Sequence, residues 1–244
     1  MFFWFCFFLL LLPVHADVMN LNNDMPTHLE DATPIDEHSF DIQYSAVLEK
    51  KDPDVLRHRP NLRYGATEDL QLEGEATIFS GGNEKDSGQT DLGILYRLNH
   101  SENYFPEISL SPVAIFPTGK GMDSMLYSIR VNLTTTLEGN SKVPITQLHF
   151  NYQLEHNSSA SSGERTDRSI YTFGFGRLIF NETALICDAL FESEREKSDY
   201  TYLLETGLHH HLGKKYFIGL SIGVGLGASD VDGQGLLAFE KQFD

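Results

Sequence analysis

The stretch LYSIRVNLTT, residues 126–135, and the stretch QLHFNYQLE, residues 147–155, decide the fold. In the first, Tyr127, Ile129, Val131 and Leu133 alternate with Ser128, Arg130, Asn132 and Thr134. In the second, Leu148, Phe150, Tyr152 and Leu154 alternate with Gln147, His149, Asn151, Gln153 and Glu155. A period of two marks β-strand, because successive side chains leave opposite faces of the pleat. One face is aliphatic or aromatic and the other carries charges and amides. The polar link from Glu138 to Lys142 makes the pair a hairpin. A soluble sandwich would give the same alternation. The N-terminus, the number of strands and the loop pattern separate the two cases.

Outward from this hairpin the same alternation recurs, and about twelve strand candidates cover the chain from Ser39 to Phe243. Leu70, Leu72, Gly74, Ala76 and Ile78 lie on one face of the third, with Gln71, Glu73, Glu75 and Thr77 on the other. In the fourth, Leu92, Ile94, Tyr96 and Leu98 oppose Asp91 and Arg97. Connections after the even strands tend to be short, such as Thr67-Glu68-Asp69 and Asn181-Glu182. Several after the odd strands, such as the Gly- and charge-rich segment from Ser80 to Gly88, are longer and more polar. The expected fold is therefore all-β: an antiparallel transmembrane β-barrel of about twelve strands, with short periplasmic turns and longer extracellular loops. Leu237, Phe239 and Phe243 alternate at the C-terminus, a pattern expected to engage the barrel-assembly machinery. Asp244 follows the aromatic, a departure from the usual aromatic ending.

Residues 2–12 form a continuous apolar run, and Val14, His15 and Ala16 supply a cleavage-site pattern. Residues 1–16 thus read as a secretory signal, although no Lys or Arg precedes the run. No later segment approaches the roughly 20 apolar residues of a transmembrane helix, so a membrane-embedded chain has to be a closed barrel. Residues 17–36 are polar, with Pro26 and Pro34, and read as a flexible periplasmic leader; insertion into the lumen as a plug is the alternative. Residues 37–244 form the barrel. After signal removal Cys187 is the one cysteine, so neither an internal disulfide nor a cysteine zinc site is available. The 244-residue chain holds 35 acidic and 18 basic side chains, net −17, which argues against nucleic acid as a partner.

The runs PNLRYGAT (60–67) with DLQL (69–72), DLGILYRL (91–98), PEISL (106–110) and FPTG (116–119) resemble a family of outer-membrane transporters. The family is associated with phenol meta-cleavage, the MetA-pathway of phenol degradation. The resemblance spans residues 40–243 and implies an outer-membrane barrel admitting hydrophobic or aromatic compounds. It carries over no set of substrate residues.

On this register the solute-path candidates are Arg63, Glu73, Glu75, Asp91, Arg97, Arg130, His149, Asp188, Glu205 and His209, with Glu107 and Glu155 on the same face. Opposed arginines and carboxylates either set a transverse field for a solute or fill the lumen with ion pairs. His209-His210-His211 puts only two imidazoles on one face, so neither metal nor cofactor is expected. His149 and Asn151 lack a serine at strand spacing, so catalysis is not expected. Gly219, Ser221, Gly223, Gly225 and Gly227 form an inward stripe of small residues. The leading expectation is an outer-membrane channel for small, hydrophobic or aromatic solutes, bounded by outer-membrane lipid. The alternatives are a structural or interaction barrel with an occluded lumen and, third, a lipid-modifying enzyme.

Overall fold

The computed structural model describes residues 27–50, 54–81, 88–100, 105–119, 124–137, 146–180, 182–194, 196, 199–213, 215–227 and 231–243. The expected signal peptide, residues 17–26 of the expected leader, the link from Glu138 to Lys142 and Asp244 lie outside them.

Twelve strands close into one antiparallel barrel. They are β1 Phe40–Lys50, β2 Val55–Thr67, β3 Leu70–Gly81, β4 Gly88–Asn99, β5 Glu107–Pro117 and β6 Leu126–Leu137. The ring continues with β7 Thr146–His156, β8 Asp167–Phe180, β9 Thr183–Ser193, β10 Tyr200–His211, β11 Tyr216–Gly225 and β12 Gly233–Phe243. Each strand pairs with its sequence neighbour. The seam joins β1 to β12 from Phe40 opposite Phe243 to Lys50 opposite Gly233. The strands run from 10 to 14 residues, enough to cross a bilayer at a tilt.

Alternation fixes which face is which. Ile94, Leu220, Ile222 and Leu237 point outward, each more than two-fifths exposed, among many other large apolar side chains. Such a continuous apolar surface is costly in water and free of that cost in lipid. Aromatics gather toward the strand ends. Tyr152, Tyr171, Phe191 and Tyr202 form a row across β7 to β10, with successive centroids 4.9, 5.7 and 5.0 Å apart. At the opposite end Lys241 lies over the rings of Tyr216 and Phe243. Tyrosines and a snorkelling lysine suit the two edges of an apolar slab.

The connections differ at the two ends less than expected. The connections 68–69, 181–182 and 212–215 are short and join strands at one end, the turn end. The same end also carries 100–106 and 138–145. The loop end carries the longest connection, 157–166, but also the short 51–54.

One expectation is corrected. Over its described part, 27–36, the N-terminal segment is not a flexible periplasmic leader but lies inside the barrel. Leu29, Ala32 and Ile35 are almost fully buried, as are Thr27 and Asp31. Leu29 packs on Leu178, Ala184 and Ile186 of β8 and β9. The segment buries apolar side chains and finds partners for its backbone within the lumen, which overcomes its polar composition.

Candidate functional site: the plugged lumen

The plug turns into β1 at a tight corner. His38 adopts φ +64°, its N–H donates to Gly65 O at 2.7 Å, and Gly65 N–H donates to Ser39 O at 3.1 Å. Further in, the wall holds the plug by its backbone. Ile35 N–H donates to Gln71 Oε1, Ala32 N–H to Thr134 Oγ1, Glu30 N–H to Asn151 Oδ1 and His28 N–H to Asp188 Oδ2, each at 3.0 Å. Asn151 also donates to Glu30 O at 2.7 Å, so one side-chain amide closes both backbone groups of Glu30, much as a neighbouring strand would. Thr33 Oγ1 donates to Glu107 at 2.9 Å.

Burial shapes the charge of the plug. It pushes the Asp31 carboxyl up to about 6, against the hydrogen bonds from Thr33 and Thr134. It pushes Glu30 up to about 7, with Arg130 pulling the other way. For His28, burial alone would lower the imidazole; Glu205 and Asp188 beside it raise it to about 9.

Around the plug runs a network of arginines bracketed by carboxylates. Arg63 bonds Asp41 and Glu240, each at 2.9 Å. Arg97 bonds Asp69 at 2.8 Å and Glu107 at 2.9 Å. Arg130 reaches Glu30 of the plug at 3.3 Å and Glu73 at 3.4 Å. Toward the loop end Arg59 bonds Glu75 at 2.6 Å, Arg57 pairs with Glu49, and Arg168 pairs with Glu192 and, at 2.9 Å, with Glu155. Strand parity aims these groups at one another across neighbouring strands. Without such partners a buried charge is costly.

Above the plug, toward the loop end, lies a cavity of about 870 Å³. His28 and Glu30 form part of its floor. Among the described residues its lining carries four arginines (Arg57, Arg59, Arg130 and Arg168) against eight carboxylates, including Asp91, Glu164, Glu194 and Glu196. On the turn side of the plug, a space of about 10 Å³ lies between Asp31, Thr33, Gln43 and Arg63. That is room for about one water. The described plug thus forms part of the floor of a wide vestibule.

The ten solute-path candidates all sit on the inner face. Arg63, Glu73, Glu75, Arg97 and Arg130 are held in the network above. Asp91 lines the vestibule, accepting from Gln89 at 3.2 Å. His149, 1% exposed, lies 3.1 Å from Thr134 Oγ1. Asp188 and Glu205 meet at the plug's inner end, whereas His209 stacks among His211 and Phe217 near the turn end. Cys187 faces the other side, its Sγ 3.3 Å from Thr206 Oγ1. Sequence reasoning missed His28, Glu30 and Asp31, for the plug has no period. It also missed Arg57, Arg59 and Arg168, which sit where strands meet loops.

No protein-family model matches the sequence, and no curated protein matches it. Solved structures do. The chain is similar to the NanC porin at 7% identity and TM-score 0.62, covering 84% of this chain and 99% of that one. The KdgM porin gives 11% identity and TM-score 0.58, with 84% and 99% covered. The COG4313 outer membrane channel from Pseudomonas putida F1 gives 12% identity and TM-score 0.58, with 87% and 98% covered. At such identities the likeness is one of fold. It places the chain in the class of twelve-strand barrels with the architecture of outer-membrane porins.

Proposed function

We propose that the protein is an outer-membrane channel for small solutes, closed in this conformation by its own N-terminal segment. The observation that carries the reading is the vestibule of about 870 Å³ that ends on the plug. The described plug is held by hydrogen bonds, ion pairs and a few buried apolar side chains, and pairs with no strand of the ring. A segment so held is displaceable, whereas a strand of the closed ring is not. The apolar outer belt and aromatic edges suit an outer membrane, with the turn end facing the periplasm.

The lining bears on the solute. With eight carboxylates against four arginines, the vestibule field favours neutral or cationic solutes over anionic ones. A KdgM porin structure is described as a complex with disordered oligogalacturonate, a polyanion. This vestibule opposes such a ligand. The aromatic solute implied by the resemblance to meta-cleavage transporters is the finer proposal. The plug also favours a second reading, a structural barrel whose lumen stays occluded.

The test is solute uptake by liposomes holding the refolded chain and a variant lacking residues 27–35. A small neutral sugar, a small aromatic and a small organic cation are compared. Uptake that rises on removing the plug supports a gated channel. Entry of the aromatic alone supports the meta-cleavage role. No uptake by the plug-free, folded barrel overturns the channel and leaves the occluded barrel.

A further inference from the structure

Three ligand-bearing side chains from three separate elements converge at the inner end of the plug. His28 comes from the plug, Asp188 from β9 and Glu205 from β10. One donor atom of each lies within 4.8 Å of the others. The register sets Asp188 directly across from Glu205, so two carboxylates share one row of the wall. They are 5% and 4% exposed. Like charges directly opposite weaken strand pairing, and two buried carboxylates need more than one positive charge to be neutralised. His28 brings at most one, and Arg57, the next cation, is engaged with Glu49.

The wall on both sides is cut back to glycine. Gly174 faces Asp188 from β8, and Gly223 faces Glu205 from β11. A Cβ at 174 would come 2.3 Å from the Cys187 carbonyl oxygen and 2.7 Å from the Asp188 Cβ. A Cβ at 223 would come 3.0 Å from the Glu205 Cγ and 3.1 Å from the Gln234 Cγ. Gly223 of the small-residue stripe of β11 thus clears space for Glu205. Gln234 donates to Glu205 Oε1 at 2.5 Å and fixes that carboxylate from behind, as an outer-shell partner fixes a ligand. Asp188 Oδ2 accepts the His28 N–H, while Asp188 Oδ1 is buried with no hydrogen-bond partner among the described residues. An imidazole nitrogen, two buried carboxylates, an unsatisfied oxygen and a cleared wall make a ligand set for a cation.

We infer that His28, Asp188 and Glu205 form a site for a divalent first-row transition ion such as Zn²⁺, which pins the plug to the wall. One nitrogen and two carboxylate donors suit that class, with water completing the shell. The vestibule reaches His28 and supplies the entry path. The other convergence of such groups among the described residues, Glu68, Asp69 and His100, is largely exposed, and Asp69 is already bonded by Arg97. It serves as the internal control.

The full chain, refolded in detergent micelles and freed of metal with EDTA, is titrated with Zn²⁺ by calorimetry at pH 7.5. One site per barrel is expected. H28Q and D188N should each weaken it about tenfold or more, and H100Q should leave it unchanged. Heat-modifiable gel migration checks that each variant folds. X-ray absorption at the zinc edge of the unmutated protein decides independently, and a single imidazole among oxygen ligands is expected. No stoichiometric site, a site indifferent to both folded variants, or two or more imidazoles on the zinc overturns the assignment. Transport plays no part in these readouts, so the channel reading stands or falls separately.

Discussion

At the scale of single residues, the position of the plug turns on Gly65. A Cβ there would meet the Asp36 carbonyl oxygen at 2.1 Å, a clash with backbone that no rotamer relieves. Gly65→Ala is expected to leave the barrel closed but to expel the corner. Limited proteolysis should then cut within residues 27–39 far faster than in the parent. Asn151 is the second such residue. Asn151→Ala strands both backbone groups of Glu30, at a cost of about 1–3 kcal/mol of plug docking. Hydrogen exchange at the Glu30 amide measures it. Asp31 gives the plug a pH dependence. Its carboxyl is held near 6 against an ordinary 3.8 by burial, with Glu107 of β5 adding to the rise. The docked plug therefore binds this proton more readily than the released one. Its contribution to docking is full below about 3.8 and is lost as pH rises through about 6. Slower proteolysis of the plug at pH 5 than at pH 7.5 is expected, and Asp31→Asn should reduce the difference, Glu30 supplying the remainder. Parity made Arg63, Glu75 and Arg130 legible as inward residues. The contacts between plug and wall were not legible, because partners such as His28 and Glu205 stand 177 positions apart and no local pattern joins them.

At the scale of elements, the strands were legible wherever one face met lipid and the other met polar groups. β9 is the informative exception. Its inward positions Ala184, Ile186 and Leu190 are buried and apolar, so the alternation blurs. Leu29 covers the first two from inside, and Val231 covers Leu190. The plug itself was illegible for a different reason. Pattern reading sees side chains, whereas this segment is bound largely through its N–H groups, which every sequence shares. Leu29 is its main apolar anchor, 1% exposed. Leu29→Ala should weaken docking by about 2–5 kcal/mol, the usual cost of emptying such a site. Loss of protection across residues 27–35 with an unchanged barrel signal would register it.

At the scale of the whole molecule, charge decides what a released plug would leave behind. The vestibule keeps an excess of carboxylates, and the chain as a whole carries −17. Removing residues 27–35 should give a cation-selective pore in planar bilayers, with a reversal potential that shrinks as salt screens the lining. Neutralising Arg130 should deepen that selectivity. Anion selectivity would contradict this account of the lining. The ring itself was legible from the even number of alternating segments. The vestibule was not, since it depends on how far the plug reaches into the lumen.

The way the wall grips the plug bears on how the protein can diverge. Gln71, Thr134, Asn151 and Asp188 accept hydrogen bonds from main-chain N–H groups, which are blind to the side chains they carry. Mutational drift within residues 27–35 away from His28 and Glu30 therefore costs little so long as a small or apolar residue remains at positions 29, 32 and 35. Drift at the four acceptors costs a bond each time. Among descendants of a common ancestor, the segment that fills the lumen should be more variable than the surface that holds it, an inversion of the usual contrast between a binding loop and its scaffold.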